Sequence, residues 1–412
     1  MRHACFLLAL AALGYAASPW PRPLPAAQEI ALGGPWKRHT IDRFWKGADG
    51  VRLADINRDG RLDIAAAWEE SGAVRVYLNP GPKRARNPWP TVTVGRVASP
   101  EDAVFFDMDA DGAVDVVSSC EGDQRSIFVH WAPRRRGNLL HRYSWRTEPL
   151  PAARQAMQWM FAVPVQLDGK NGLDLVAGAK GEGARLGWFE APENPRRLAD
   201  WKWHPIYEAG WIMSIVPLDI DGDGHLDLLV SDRHGGTRGV FWLRNPGPGP
   251  AQLEPWPRNP IGSQGKEVMF LTTVDFNRDG LLDVIGAVKD RDILVYQKQS
   301  ADGLAWQEFA IRMPDIAGTA KAVKAGDLDG DGRTDIVFSC EQAAGDRRGV
   351  MWMSHEQVGE EGRWIARDIS GPEGEKFDLV ELIDLDGDGD LDVLTTEETA
   401  NLGVIWYENP SR

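Results

Sequence analysis

Asp384, Asp386, Asp388 and Asp392 alternate along nine residues, with Gly389 at the sixth position. Four carboxylates at that spacing make a cage of hard oxygens, which suits Ca²⁺ rather than Zn²⁺. The glycine falls where the chain must turn sharply, because glycine takes positive φ without penalty. The pattern recurs as Asp55, Asn57, Asp59 and Asp63; as Asp107, Asp109, Asp111 and Asp115; and as Asp219, Asp221, Asp223 and Asp227. It recurs again as Asp275, Asn277, Asp279 and Asp283, and as Asp327, Asp329, Asp331 and Asp335. A seventh, altered copy runs from Gln166 through Asp168 and Lys170 to Asp174. An EF-hand would need a glutamate at position twelve and a helix on each side. Position twelve is instead Ala66 in the first copy and Thr395 in the last, and the flanks read as short strands.

The elements that must hold these loops follow from their spacing. The copies start on average about 55 residues apart, near the length of a propeller blade, and seven copies predict seven blades. Each repeat reads as a first strand entering the loop (51–54, 380–383) and a second leaving it (62–66, 391–395). A polar hairpin then leads to a third strand that often ends in Asn-Pro. A fourth strand opens on tryptophan, as at Trp89, Trp306 and Trp364. The chain ends on a third-strand pattern at 404–410, while Trp36–Ile41 is a fourth-strand pattern with no blade of its own. That segment is expected to complete blade seven and so remove the open edge of the ring. The 18 tryptophans are expected to pack blade against blade.

The 412 residues, 43% hydrophobic, are ample for one large closed ring. The net charge of −15 belongs mostly to the loops: setting aside the 22 aspartates at positions one, three, five and nine leaves the rest of the chain at +7. Basic runs are short (Arg134–Arg136), which excludes a nucleic-acid surface. Residues 1–17 read as a secretory signal, with Arg2 and His3 before the apolar run 4–13, and no stretch is long enough to span a bilayer. Cys5 lies within that run, outside any lipoprotein-type context. A secreted or periplasmic monomer is expected, with a Pro-rich linker at 18–35 and the propeller at 36–412. Cys120 and Cys340 occupy one repeat position on blades that are not neighbours, so both are expected as half-buried free thiols.

With seven Asp-x-Asp/Asn-x-Asp-Gly-x-x-Asp loops between strands, the chain resembles the FG-GAP/VCBS repeat family, which includes integrin α-chain propellers and fungal seven-bladed lectins. The resemblance covers about 36–412 and implies an all-β, seven-bladed β-propeller of four-stranded blades. It further implies that side chains one, three, five and nine of each loop bind Ca²⁺ together with the seventh carbonyl. Blade three departs at Gln166 and Lys170. The Lys170 ammonium is expected to stand in the metal's place, leaving about six structural sites.

A ligand site is expected on the opposite face, at the channel mouth. Six residues past the last loop aspartate stand Glu69, Glu121, Lys180, Arg233, Lys289, Glu341 and Glu398. Six residues before each loop stand Asp49, Glu101, Met160, Met213, Met269, Lys321 and Asp378. Both positions divide the ring, acidic on blades seven, one and two and basic or methionine-bearing on three to five. Trp159 and Trp211 flank the methionines. A basic, aromatic half would hold a ligand by ion pairing and stacking, and an acidic half would take sugar hydroxyls, a cation or protons. The leading expectation is a carbohydrate or similar polyhydroxylated ligand. A polysaccharide lyase or sugar dehydratase is the alternative, with His234 or a lysine taking a proton and Arg233, Lys180 and Lys289 steadying an enolate. Protein–protein adhesion is a third. Nucleophile elbows, zinc-protease, Walker and Rossmann motifs are missing.

Overall fold

The computed structural model describes residues 29–30, 33–358 and 361–411; the expected signal segment lies outside them. The described strands form seven sheets, each built on a four-stranded antiparallel blade that runs in chain order from the axis outwards, except that blade seven takes its outer strand from 37–42. The blades span 48–96, 100–149, 158–208, 212–262, 268–312, 319–368 and 377–408. Inner strands of consecutive blades pack on one another, and Phe377–Ile383 of blade seven lies against Ala48–Ala54 of blade one, so the ring closes.

Burial follows a strand's place in the blade. Second strands are covered on both faces, and Asp63–Trp68 is buried at every residue, as its Ile-Ala-Ala-Ala-Trp sequence requires. Outer strands keep one face toward solvent, and Lys37–Asp42 and Thr91–Arg96 alternate accordingly. One outer strand is not legible as such in the sequence. Arg258–Gly262 of blade four carries Pro260, which an edge position tolerates because no further strand needs its missing N–H.

The closing strand sits where the repeat pattern places it. Lys37–Asp42 pairs antiparallel with Gly403–Glu408, Lys37 facing Glu408 and Thr40 facing Ile405. His39 Nε2 meets Glu408 at 2.6 Å and its ring stacks on Trp406, with centroids 4.4 Å apart. The stretch expected to be an unpatterned linker contributes one short strand, Glu29–Ile30, which runs parallel to Ile365 and Ala366 on the outer edge of blade six. Among the described residues helix is limited to short 3₁₀ turns, and no helix is long and apolar enough to cross a membrane.

Tryptophans fasten the blades. Trp89, Trp145, Trp201 and Trp256 are buried just before outer strands, and each indole N–H donates to a carbonyl four or six residues upstream at 2.8–3.0 Å. Cys120 and Cys340 are free, as expected, but wholly buried rather than half-buried, because second-strand positions face another blade. Burial pushes the Cys120 thiol up to about 12, so it is inert.

Blades one and two meet at a glycine. A Cβ at Gly95 would lie 2.1 Å from the His130 ring, so only glycine fits. His130 is buried and bonded to Ser118 Oγ and Thr147 Oγ1, both at 2.9 Å. Burial holds its imidazole near a pKa of about 3, below the usual 6.5. The unfolded chain therefore takes up this proton first, and stability present above pH 6.5 is lost as pH falls toward 3. Unfolding followed from pH 7 to 4 should show His130→Gln losing stability more shallowly than the parent, by up to about 1.4 kcal/mol per pH unit. Deleting residues 18–42 should abolish the single cooperative melting transition, which calorimetry would detect, because Gly403–Glu408 then becomes a bare apolar edge.

Candidate functional site

Each inner strand carries chemistry at both ends, about 20 Å apart for seven residues of extended chain. Its far end enters an aspartate loop. The sixth-position glycines have φ between +80° and +93°, and each amide donates to the first aspartate at 2.8–3.1 Å. In blades two, four, six and seven, carboxylate oxygens from positions one, three and nine lie within 4.8 Å of one another. Asp107 Oδ1 is buried there without any hydrogen-bond partner. Clustered anionic oxygens with an orphaned acceptor fit a hard cation.

The ninth aspartate has a further role. Asp63 accepts from the Ile56 and Asn79 amides, at 3.1 and 2.8 Å. The same double acceptance, at 2.7–3.2 Å, recurs at Asp115, Asp174, Asp227, Asp283 and Asp392. The carboxylate ties its own loop to the end of the third strand. Burial raises these groups, Asp227 to about 6 and Asp115 to about 8. An adjacent cation favours the ionised form.

Blade three keeps this staple but fills its loop from within. The Gln166 side-chain amide donates to the carbonyls of Lys170, at 3.0 Å, and of Gly172, which is the seventh position. Its Oε1 accepts from Asp168 and Gly169, and Lys170 Nζ sits 2.8 Å from Asp168. The lysine was expected to act alone; the glutamine amide acts with it.

At the opposite end, every inner strand breaks register with a β-bulge. The residues skipped include Glu101, Met160, Met213, Met269, Lys321 and Asp378, and the bulges aim them into the channel. Together with second-strand ends they line a cavity of about 240 Å³. Of the residues expected at the mouth, Glu69, Glu101, Glu121, Lys180, Trp211, Arg233, Glu341 and Asp378 line it.

Four others stand elsewhere. Trp159 is fully buried, its Nε1 bonded to Ala153 O at 2.9 Å and its ring edge-on to Trp203, because neighbouring Met160 takes the channel side. Lys289 pairs with Glu341 at 2.5 Å, and Glu398 with Lys376, both behind the lining. His234 is half-buried beside Trp211, with ring centroids 5.2 Å apart, and does not line the cavity.

The expected division into basic and acidic halves is cancelled at its seams. Lys180 of blade three meets Glu121 and, at 3.3 Å, Glu101 of blade two. Lys321 meets Asp378, and Arg233 meets Glu267 at 3.1 Å, a partner that sequence reasoning missed. Lys180 and Arg233 also stand 4.6 and 4.5 Å from the Trp211 ring centre. What divides the cavity is polarity. Phe161, Phe270, Trp211 and the three methionines come from blades three to five, beside Lys180 and Arg233, whereas blades six, seven, one and two supply only carboxylates and lysines. Phe161 and Phe270 meet across the channel at 5.3 Å; each follows a methionine, and the bulge that turns the one turns the other.

Two carboxyls here are shifted strongly upward. Burial, and then the neighbouring Asp378 charge, push Asp49 well above the carboxylate range, while the Lys321 ammonium holds buried Asp378 below it. Burial raises Glu101 to about 8 despite Lys180. Glu69 makes no ion pair and faces Glu121 and Glu398, which, after burial, raise it.

A family model described as an FG-GAP-like repeat matches residues 55–118 and 275–338. No curated protein matches. Among solved structures, BBS1N in complex with ARL6DN, soaked with mercury, is similar at TM-score 0.52 and 11% identity, covering 92% of this chain and 98% of that one. The same complex soaked with lead gives TM-score 0.51 and 10% identity, over 91% and 99%. At such identity the likeness is one of fold. Two FG-GAP-like repeat matches within a ring of seven four-stranded blades support an FG-GAP repeat β-propeller.

Proposed function

We propose that the channel mouth binds a small polyhydroxylated ligand, most simply one sugar residue of a carbohydrate, on a propeller whose six intact loops hold Ca²⁺. The observation that carries this reading is the two-sided cavity. A sugar ring has an apolar C–H face and an edge of hydroxyls. Phe161, Trp211, Phe270 and the methionines offer the first a surface, and the carboxylates and ammonium groups offer the second donors and acceptors. The volume of about 240 Å³ is below the ~300 Å³ at which clefts begin to take drug-sized molecules, which fits a single ring. The upward shifts of Asp49 and Glu101 favour their neutral forms, which would add hydroxyl donors beside the ammonium groups. Pairing of Lys180 with Glu101 and Glu121, and the place of His234, favour binding over the lyase alternative.

Ca²⁺, when bound, would join carboxylates that otherwise repel one another, so metal binding becomes folding energy. Asp55, Asp107, Asp219, Asp275, Asp327 and Asp384 and their loop partners would hold it, and blade three would not. Sites with dissociation constants on the order of 10⁻⁴ M suit a protein working outside the cytosol, as the leader-like residues 1–17 suggest.

Elemental counting after equilibrium dialysis should give six Ca²⁺ per chain; seven would refute the reading of blade three. Chelation should lower the melting temperature, since each such site adds about 1.4 kcal/mol at millimolar Ca²⁺. For the pocket, Glu69→Gln and Arg233→Ala should each weaken retention on an immobilised-glycan panel by about tenfold, with calcium-loaded melting unchanged. Normal binding by both variants would end the pocket reading. A new ultraviolet absorbance on uronic polysaccharides would replace binding with eliminative cleavage.

A further inference from the structure

Blade seven's loop differs from its sisters at position seven. That position holds Arg61 in blade one, Ala113 in two, His225 in four, Leu281 in five and Arg333 in six, but Asp390 in seven. Where it is arginine, the side chain pairs with the fifth-position aspartate, as Arg333 does with Asp331 at 2.5 Å, and subtracts from the loop's charge. Asp390 adds to it, giving a loop of five carboxylates, of which Asp386 is paired with Arg86. Its side chain is 8% exposed, and neither carboxylate oxygen accepts a hydrogen bond. The carboxyl lies against that of Asp388, with Asp386 and Asp384 beyond. A buried carboxyl with no donor, beside a loop whose Asp384, Asp386 and Asp392 oxygens converge within 4.8 Å, is stabilised by a cation among them.

The same loop is wired to the closure of the ring. Arg86, from blade one, reaches Asp386 at 2.5 Å and also donates to Glu408 at 2.9 and 3.1 Å. Glu408 in turn holds His39 of the closing strand at 2.6 Å. Loop, neighbouring blade and closing strand thus share one chain of charged contacts.

We propose that Asp390 is an additional carboxylate ligand that makes blade seven's loop the tightest Ca²⁺ site of the ring, so that the blade completed by the N-terminal strand is the first to load. The inference rests on the calcium reading above. Ligand charge count is one of the two levers that set Ca²⁺ affinity, site rigidity being the other. Blade four supplies the internal comparison. Its loop, Asp219-Ile-Asp221-Gly-Asp223-Gly-His225-Leu-Asp227, matches Asp384-Leu-Asp386-Gly-Asp388-Gly-Asp390-Leu-Asp392 except at positions two and seven.

The test is hydrogen exchange of the intact, metal-stripped chain titrated with Ca²⁺, read by mass spectrometry on peptides covering each loop separately. Loop 384–392 should gain protection at the lowest Ca²⁺, together with 37–42 and 403–408. Asp390→Asn, nearly isosteric, should raise the loop-seven midpoint at least about tenfold and leave loop four alone. His225→Asp, which gives loop four the charge pattern of loop seven, should lower the loop-four midpoint and keeps the test open if the first variant folds poorly. Protection of loop four before loop seven would overturn the proposal, as would an Asp390→Asn midpoint that is unchanged or lower. In those cases the calcium reading stands. A chain in which no loop responds to Ca²⁺ would overturn both.

Discussion

The ring depends on one repeated interaction, the ninth-position aspartate whose two oxygens accept amides from its own loop and from the end of the third strand. It fixes where the inner strand stops, where the second begins and where the third must end. A carboxylate suits this place because it offers acceptors on two sides and carries no donor of its own. Its cost is a buried negative charge, raised toward neutral pH in each blade where it recurs. Blade three shows that staple and cation cage are separable. Asp174 still accepts two amides, although Gln166 and Lys170 supply the positive hydrogen-bonding groups internally.

Much of the fold was legible because a repeat is a register. Once the aspartate loops were aligned, Trp36–Ile41 had to be an outer strand without a blade, and the surplus strand pattern placed it on blade seven. Offsets of six residues before and after each loop found most of the channel mouth, since every blade shares the same strand lengths. The misses have physical causes. Pairing periodicity gives adjacent residues opposite faces, so it could not say which of Trp159 and Met160 entered the channel; the bulge decides. Partners that lie off those offsets cannot be read from them, so Glu267 beside the next blade and Lys376 within blade seven went unseen and the charge division looked sharper than it is. Arg258–Gly262 lacked an opening tryptophan and carried a proline, and nothing local marked it as a strand.

The two ends of the inner strand divide the labour. At the loop end the chain concentrates charge that would favour a cation and tightens the fold. At the mouth it balances charge across blade boundaries and leaves polarity to distinguish one wall from the other. Bulges make the second possible, because they free one or two residues per blade from the sheet without disturbing the loop at its other end.

The closing strand also sets an order in time. Blades one to six are meanders whose strands pair with sequence neighbours, so each can assemble as its own segment emerges. Blade seven needs Lys37–Asp42 to wait for Gly403–Glu408, the most distant pairing in the chain. Contacts of such separation are slow, because the entropy of bringing the ends together is lost before any pairing is gained. Until then the apolar third strand of blade seven stands as a free edge, and a second copy's closing strand could take the place. Dilution, or the chain's own retention of its early segment near blade six through Glu29–Ile30, favours the internal partner.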